Sequence, residues 1–263
     1  MEPLPNGRRV RVARTGTGPP LLLLHGYPDN LQIWSEVAPR LAGHFEVIAF
    51  DWPGMGYSEP WPGGATPFQM ADRLVELLDA WGVAHATVAG MDVGGQPALA
   101  LAAMHPERVE RLIVMNSLVM WDEKTSWEIG VLRKFGWNRF LLRRCARLVF
   151  ERAVLTSMTS SLPSELRRDL WDSFRRPDVR HFIARLCAAY QGTLPKLAEA
   201  YRTIACPTLL LWGEEDRHFP PAHGERLNAN IRSSSLEIIA GAHHWMVWDR
   251  AEEVARRILA FTE

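Results

Sequence analysis

A mostly parallel β-sheet flanked by helices on both faces, with a helical segment inserted late in the chain, is the fold class the sequence predicts. Three observations predict it. Apolar runs that read as strands buried on both faces alternate with amphipathic helical stretches. A sharp strand–turn–helix pattern stands at Ala89-Gly90-Met91-Asp92-Val93-Gly94-Gly95. The polar candidates Asp92, Asp216 and His244 each fall just after a strand, where open α/β sheets place their ligands.

The elements follow in order. Residues 8–13 alternate as an edge strand through Val10 and Val12, and Gly16-Thr17-Gly18-Pro19-Pro20 turns the chain. Leu21–Leu24 is a continuous apolar run, as a doubly buried strand requires. It runs into His25-Gly26-Tyr27-Pro28-Asp29-Asn30; Trp34, Val37, Ala38 and Leu41 then keep helical spacing. Phe45–Phe50 is the next strand, and Asp51 to Ser58 follows as a loop. Thr66-Pro67-Phe68-Gln69 has the capping residue, first-turn proline and third-position glutamine of a helix start. That helix carries Leu74, Leu77, Leu78 and Trp81 on one face and stops at Gly82. Ala86–Ala89 and Arg111–Met115 are strands on either side of the helix Gln96–Met104. From about Leu118 to Leu194 the pattern is helical, rich in Arg and Trp, without a convincing buried strand. Strands resume at Cys206–Trp212 and Leu236–Ala240, and a helix over Ala251–Phe261 closes the chain. The domain expectation is a core of 1–117 and 195–263 with a helical lid of 118–194.

Composition narrows the function classes. The 263 residues suit one large domain, or a core with an insertion. Thirty basic residues balance thirty acidic ones, so no net field draws in nucleic acid or a membrane surface. Met1 to Asn6 lacks an apolar signal core, and Leu21–Leu24 is far too short to span a bilayer. Cys145, Cys187 and Cys206 are scattered and odd in number, which reads as reduced core thiols in a cytoplasmic protein. Neither a cofactor nor a metal is expected; His243 and His244 are adjacent but no third ligand is obvious. The run Arg133, Lys134, Arg139, Arg143, Arg144, Arg147, Arg152 reads as a solvated helix face, with an anionic ligand as the alternative.

The turn around Asp92 has the outline of a nucleophile elbow, with small residues on both sides and the central side chain exposed at the top of the sheet. Serine is the usual occupant; here it is aspartate. A plain helix N-cap role for Asp92 is the alternative when the motif is taken alone. The order Asp92, Asp216, His244 matches nucleophile, acid, histidine of the α/β-hydrolase fold.

With His25-Gly26-Tyr27-Pro28, Asp51 to Ser58, Gly90 to Gly95, His105-Pro106-Glu107-Arg108-Val109, Trp212-Gly213-Glu214-Glu215-Asp216 and Gly241 to Trp245, the chain resembles the α/β-hydrolase superfamily. Within it, the chain is similar to the branch with an aspartate nucleophile, the epoxide hydrolases and the haloalkane and haloacetate dehalogenases. The resemblance implies that Asp92 attacks an alkyl carbon and is esterified, and that His244 activates the water that cleaves the ester. It implies that Asp216 orients the imidazole, and that the backbone N–H groups of Tyr27 and Val93 form the oxyanion hole. It places His243 where a glycine is usual. Asn116 cannot serve as an alternative acid, and Asp29 and Asp51 read as turn residues.

The leaving group divides the branch. Epoxide hydrolases resemble one another in using lid tyrosines as acids; only Tyr190 stands where the later one belongs, and no tyrosine lies between Gly130 and Leu170. The dehalogenase positions that hold a halide or a carboxylate are Tyr27 and Val93 here, and neither fits. Trp34, Trp121, Trp127 and Trp137 are candidates to line the substrate site, with core packing as the alternative. The resulting expectation is an epoxide hydrolase making vicinal diols from a small hydrophobic substrate and water. Dehalogenation is the alternative. An esterase-like enzyme or a ligand-binding protein without turnover comes third.

Overall fold

The chain begins at the edge of its sheet. In the computed structural model, which describes residues 1–134, 136–158 and 160–263, the expected strand over 8–13 divides at Arg11. Arg9–Val10 pairs with Glu2–Pro3 in a separate ribbon, and β1 (Val12–Thr15) joins the main sheet. The break has a local cause: Ser58 Oγ accepts the Arg11 N–H at 2.9 Å, so that donor is lost to a ladder.

β2 (Pro20–Leu24), β3 (Glu46–Phe50), β4 (Ala86–Met91), β5 (Val109–Met115), β6 (Thr208–Gly213) and β7 (Ser234–Ile239) complete a seven-stranded sheet in the order β1-β3-β2-β4-β5-β6-β7 among the described residues. β1 runs antiparallel to β3, and the other neighbours are parallel. β2 and β4 lie at the centre because their side chains are apolar on both faces; Leu21 to Leu24 are all fully buried. Burying one such leucine contributes about 1.5–3 kcal/mol, before the ordering entropy is set against it.

Parallel neighbours require crossovers. α1 (Pro67–Ala80) opens on a complete capping box, with Gln69 N–H on Thr66 Oγ1 at 3.2 Å, and ends before Gly82, whose φ is +69°. α2 (Gly95–Met104) is buried along most of its length between β4 and β5. The helical spacing of Trp34 to Leu41 becomes a 3₁₀ turn (Leu31–Trp34) and a one-turn helix (Ala38–Leu41) with Pro39 in its first turn. Proline has no N–H for a preceding turn, so it starts a helix rather than extends one.

Between β5 and β6 the described residues form helices without strands: α3 (Trp127–Leu132), α4 (Trp137–Arg144), α5 (Ala146–Ser157), α6 (Ser164–Phe174) and α7 (Pro177–Ala200). This is the large helical insertion. α8 (Ala222–Asn230) and α9 (Ala251–Thr262) flank the last strands. Among the described residues no helix is long and apolar enough to cross a membrane.

Candidate active site

Asp92 directly follows β4 with φ at +52°, a left-handed conformation that few non-glycine residues adopt. The turn that enforces it leaves no room nearby. A Cβ on Gly90 would lie 2.3 Å from Gly94 O, and one on Gly94 would lie 2.2 Å from Leu24 O. The strained residue is fixed at both backbone groups: its N–H donates to Asn116 O at 3.2 Å, and its carbonyl accepts from Ser117 Oγ at 2.6 Å. Strain held this firmly by its surroundings is a mark of functional positions.

The carboxylate is held as firmly as the backbone. Tyr27 N–H donates to Asp92 Oδ1 at 2.8 Å, and His244 Nε2 lies 3.4 Å from Oδ2. His244 Nδ1 meets Asp216 Oδ2 at 2.9 Å. The other oxygen of Asp216 accepts the N–H groups of His218 at 2.8 Å and Phe219 at 3.1 Å. The structure thus brings Asp92, His244, Asp216 and Tyr27 N–H together in the interior. Val93 follows Asp92 in the one-turn helix Asp92–Gly94, on the far side of the elbow from Tyr27 in sequence. His243 instead points to Glu215, 3.4 Å away at the surface.

Charge governs the protonation of this group. Burial alone would push the His244 imidazole down, but the carboxylates of Asp216 and Asp92 outweigh it and raise it to about 10. Burial favours neutral Asp216, and the facing imidazole with the donated N–H groups brings its pKa below the usual carboxylate range. These contacts favour the imidazolium form of His244 at neutral pH.

Two residues that the sequence did not single out for the site complete it. Asn116, also at positive φ (37°), braces three loops at once. Its Nδ2 donates to His243 O at 3.0 Å and His244 O at 2.8 Å, and its Oδ1 accepts Gly213 N–H at 2.8 Å. It ties the ends of β5 and β6 to the histidine loop. Asn116→Ala is expected to cost about 1–3 kcal/mol for the buried groups left unpaired. It should also lower turnover by loosening His244. Chemical denaturation and steady-state kinetics check both.

His218 is the second. Burial and the nearby His244 charge push its imidazole down to about 4, so it is neutral at pH 7. Its tautomer follows from its partners. Ser126 Oγ caps α3 by accepting Ile129 N–H, which leaves its proton for His218 Nδ1 at 2.9 Å. Thr156 Oγ1 donates to Arg152 O at 2.8 Å, so it accepts from His218 Nε2 at 3.0 Å. His218 therefore carries an Nε2–H at the cavity wall, with its ring edge-on to His244 at 5.1 Å. The only local signal is its place two residues after Asp216, which no spacing rule would select.

Over Asp92 lies a cavity of about 140 Å³, walled by α3, α4 and α5. Leu132, Leu141, Val149 and Trp127 form apolar walls, and His218, Thr156 and Ser157 form a polar side. Trp34, Trp121 and Trp137 do not line it; Trp34 is core, Trp121 stacks under Arg133, and Trp137 is exposed. Tyr190 does not line it either. Its hydroxyl donates to Gln96 Oε1 at 3.0 Å, while Gln96 Nε2 donates to Ser117 Oγ and Leu118 O. Tyr190 thereby braces the elbow through Gln96 and Ser117. Tyr190→Phe is expected to leave turnover within a few-fold and to lower stability by about 1–3 kcal/mol, because Gln96 Oε1 loses its donor. Kinetics beside thermal unfolding check this; a loss of rate without a loss of stability would restore Tyr190 as an acid.

Asp51 and Asp29 shape the neighbouring loops. Asp51 accepts Leu31 N–H at 2.8 Å and Tyr57 N–H at 2.7 Å. Asp29 is buried with Oδ1 3.5 Å from His25 Nδ1.

A strained residue at a strand-to-helix turn, faced by a histidine with its own carboxylate, is the arrangement the sheet order places at its carboxyl edge. The family model for the alpha/beta hydrolase fold matches residues 19–251. This chain belongs to the α/β-hydrolase family. It is a hydrolase of that family whose elbow carries aspartate. The α/β-hydrolase chain is 29% identical over 273 residues to an uncharacterized protein of Mycobacterium tuberculosis, covering 97% of this chain and 79% of that protein. It is 28% identical over 259 residues to a 2-hydroxy-6-oxononadienedioate/2-hydroxy-6-oxononatrienedioate hydrolase of Paraburkholderia xenovorans, covering 92% and 86%. Among solved structures, an ancestral haloalkane dehalogenase superposes with a TM-score of 0.84 at 24% identity, covering 99% of this chain and 96% of that one, which speaks for the fold alone.

Proposed function

We propose that this α/β-hydrolase forms an alkyl ester on Asp92 and opens epoxides to vicinal diols. One observation carries the reading: the residue at the elbow is a carboxylate, with one oxygen on Tyr27 N–H and the other free of backbone donors beneath an apolar cavity. Oδ2 attacks the epoxide carbon, and the C–O bond of the ring breaks. The alkoxide takes the proton that His244 holds at rest, and His218 Nε2–H, which rests on Thr156 Oγ1, is shared with the oxygen as its charge develops. Esterification removes the charge of Asp92, one of two carboxylates keeping His244 protonated, so its imidazole falls and becomes a base for water. Water attacks Asp92 Cγ, His244 takes its proton, and the oxyanion on Oδ1 stays on Tyr27 N–H, with Val93 N–H as the second donor of the proposal. The Cγ–Oδ2 bond breaks, the departing alkoxide takes the proton of the new carboxyl group, and the diol leaves, with the Asp92 carboxylate and the imidazolium restored.

The resting proton favours epoxides over halides, since an epoxide oxygen consumes it and a halide does not. Dehalogenation is the second reading. It is favoured by Tyr190, whose hydroxyl lies on Gln96 rather than in the cavity. The 2-hydroxy-6-oxononadienedioate hydrolysis named for the Paraburkholderia relative is not carried over, because a carboxylate attacking an acyl carbon gives a labile anhydride and gains little.

The test is acid-quenched intact-protein mass spectrometry of the wild-type protein during turnover of mixed epoxides and alkyl halides, because His244→Gln would remove the ring-opening proton as well as the base. An Asp92 adduct with the whole epoxide mass is expected. An adduct lacking the halogen would establish dehalogenation instead, and no adduct from either pool would remove the ester mechanism.

His218 makes a further expectation. His218→Phe should slow ester formation on the order of 10-fold to 100-fold with poor leaving groups and much less with iodides. Equal slowing across leaving groups would reduce His218 to a packing role.

A further inference from the structure

The geometry points to a second ligand site on the insertion, a cleft between α4 and the start of α7 that takes a phosphate-type polyanion. The cleft is about 470 Å³, larger than the cavity over Asp92 and within the usual range for small-molecule sites. Arg139, Arg143 and Arg144 enter it from α4, and Arg180 and His181 enter it from α7. Phe140 supplies an apolar wall, and no carboxylate lines it among the described residues. Arg139 has a partner of its own, but Arg143, Arg144 and Arg180 still bring like charge together at a cleft that no carboxylate lines among the described residues.

A solvated helix face does not account for the arrangement. Arg143 and Arg144 sit in the last turn of α4, where cations suit the helix dipole on their own. Arg180 and His181 come from a different helix, however, and close the concavity. Arg180 Nη1 is fixed on Leu142 O at 2.7 Å and Arg143 O at 3.3 Å, while its buried Nε has no acceptor. A buried N–H without an acceptor asks for one. Pro177 places the start of the 24-residue α7 at the same cleft, so the positive end of a long helix adds to the field. Guanidinium forks bind phosphate oxygens in pairs, which selects this anion class over a lone halide.

The site is separate from the cavity but shares a helix with it. Leu141 of α4 lines the cavity, while its neighbours Phe140 and Leu142 line the cleft. A bound anion would brace a wall of the catalytic cavity.

The experiment is calorimetric titration of the full chain with pyrophosphate at low salt. In parallel, the protein is sedimented with vesicles containing phosphatidylglycerol and with neutral vesicles. The variant R143E/R144E changes two exposed side chains, and R168E serves as a charge control on another helix. Pyrophosphate binding is expected, weakened at least about tenfold in R143E/R144E, unchanged in R168E and reduced by added salt. Binding only to anionic vesicles, with the same arginine dependence, would keep the site and place its phosphate on a lipid. Absence of both, or binding indifferent to R143E/R144E, would overturn the proposal.

Discussion

Asp92→Ala is expected to abolish turnover, with a loss on the order of 10⁵–10⁶-fold, the scale seen when a covalent nucleophile is removed. The residue is not dispensable in any step of the proposed reaction: it forms the ester and carries the carbonyl that water attacks. Asp92→Asn separates chemistry from architecture. Asparagine tolerates the left-handed φ of 52° and can still accept Tyr27 N–H, so the elbow should keep its shape. The variant should fold, bind and fail to form the ester. It also reports on electrostatics. Asp92 is one of two carboxylates that raise His244 to about 10, so its removal should lower the His244 titration while the Asp216 contact at 2.9 Å keeps it above the ordinary histidine value. NMR titration of the imidazole reads this directly. In wild type, ring opening should decline as pH rises through about 10, because the proton it consumes is then missing. Wild-type rates in Asp92→Ala would end the mechanism.

What could be read from sequence was local. The capping box of α1 lies within four residues and appears as expected at Thr66 and Gln69. The elbow is another local signal, since the clash that demands Gly90 and Gly94 is created by the turn itself. The apolar runs of β2 and β4 announced a doubly buried sheet for the same reason. The site residues that escaped notice act across long separations. Asn116 matters because of contacts with residues 213, 243 and 244, and nothing in Val114-Met115-Asn116-Ser117 announces them. His218 owes its tautomer to Ser126 and Thr156 in the insertion. Tyr190 was legible as a tyrosine near the end of the insertion, but not the direction of its hydroxyl, which Gln96 decides. The edge strand failed similarly, because Ser58 takes the Arg11 N–H from 47 residues away. The arginines of α4 read as a helix face; it is α7 that makes them a cleft.

Gly94→Ala is expected to be strongly destabilising for a single-methyl change. Its φ of −71° suits alanine, so backbone preference is not the difficulty. The obstacle is steric: the new Cβ would lie 2.2 Å from Leu24 O and 2.7 Å from Leu24 C. A flexible side chain could swing away from such a contact, but these are backbone atoms of β2, which pairs with β3 on one side and β4 on the other. Moving Leu24 breaks ladder bonds or drags the loop holding Gly26 and Tyr27, and with it the N–H on Asp92 Oδ1. Overpacking ordinarily costs 1–3 kcal/mol, and a rigid backbone obstacle should exceed that range, to about 4 kcal/mol or more. For a domain of this size that is a fall in Tm of roughly 8–16 °C. Gly43→Ala is the matched comparison, because nothing lies within 4 Å of its new Cβ and its φ lies outside the positive region. It should change Tm by no more than a few degrees, in either direction. Thermal unfolding of the two variants side by side decides the matter. If Gly94→Ala melted within about 2 °C of wild type, the elbow would be able to relax, and the strain at Asp92 could no longer be ascribed to the packing of its glycines.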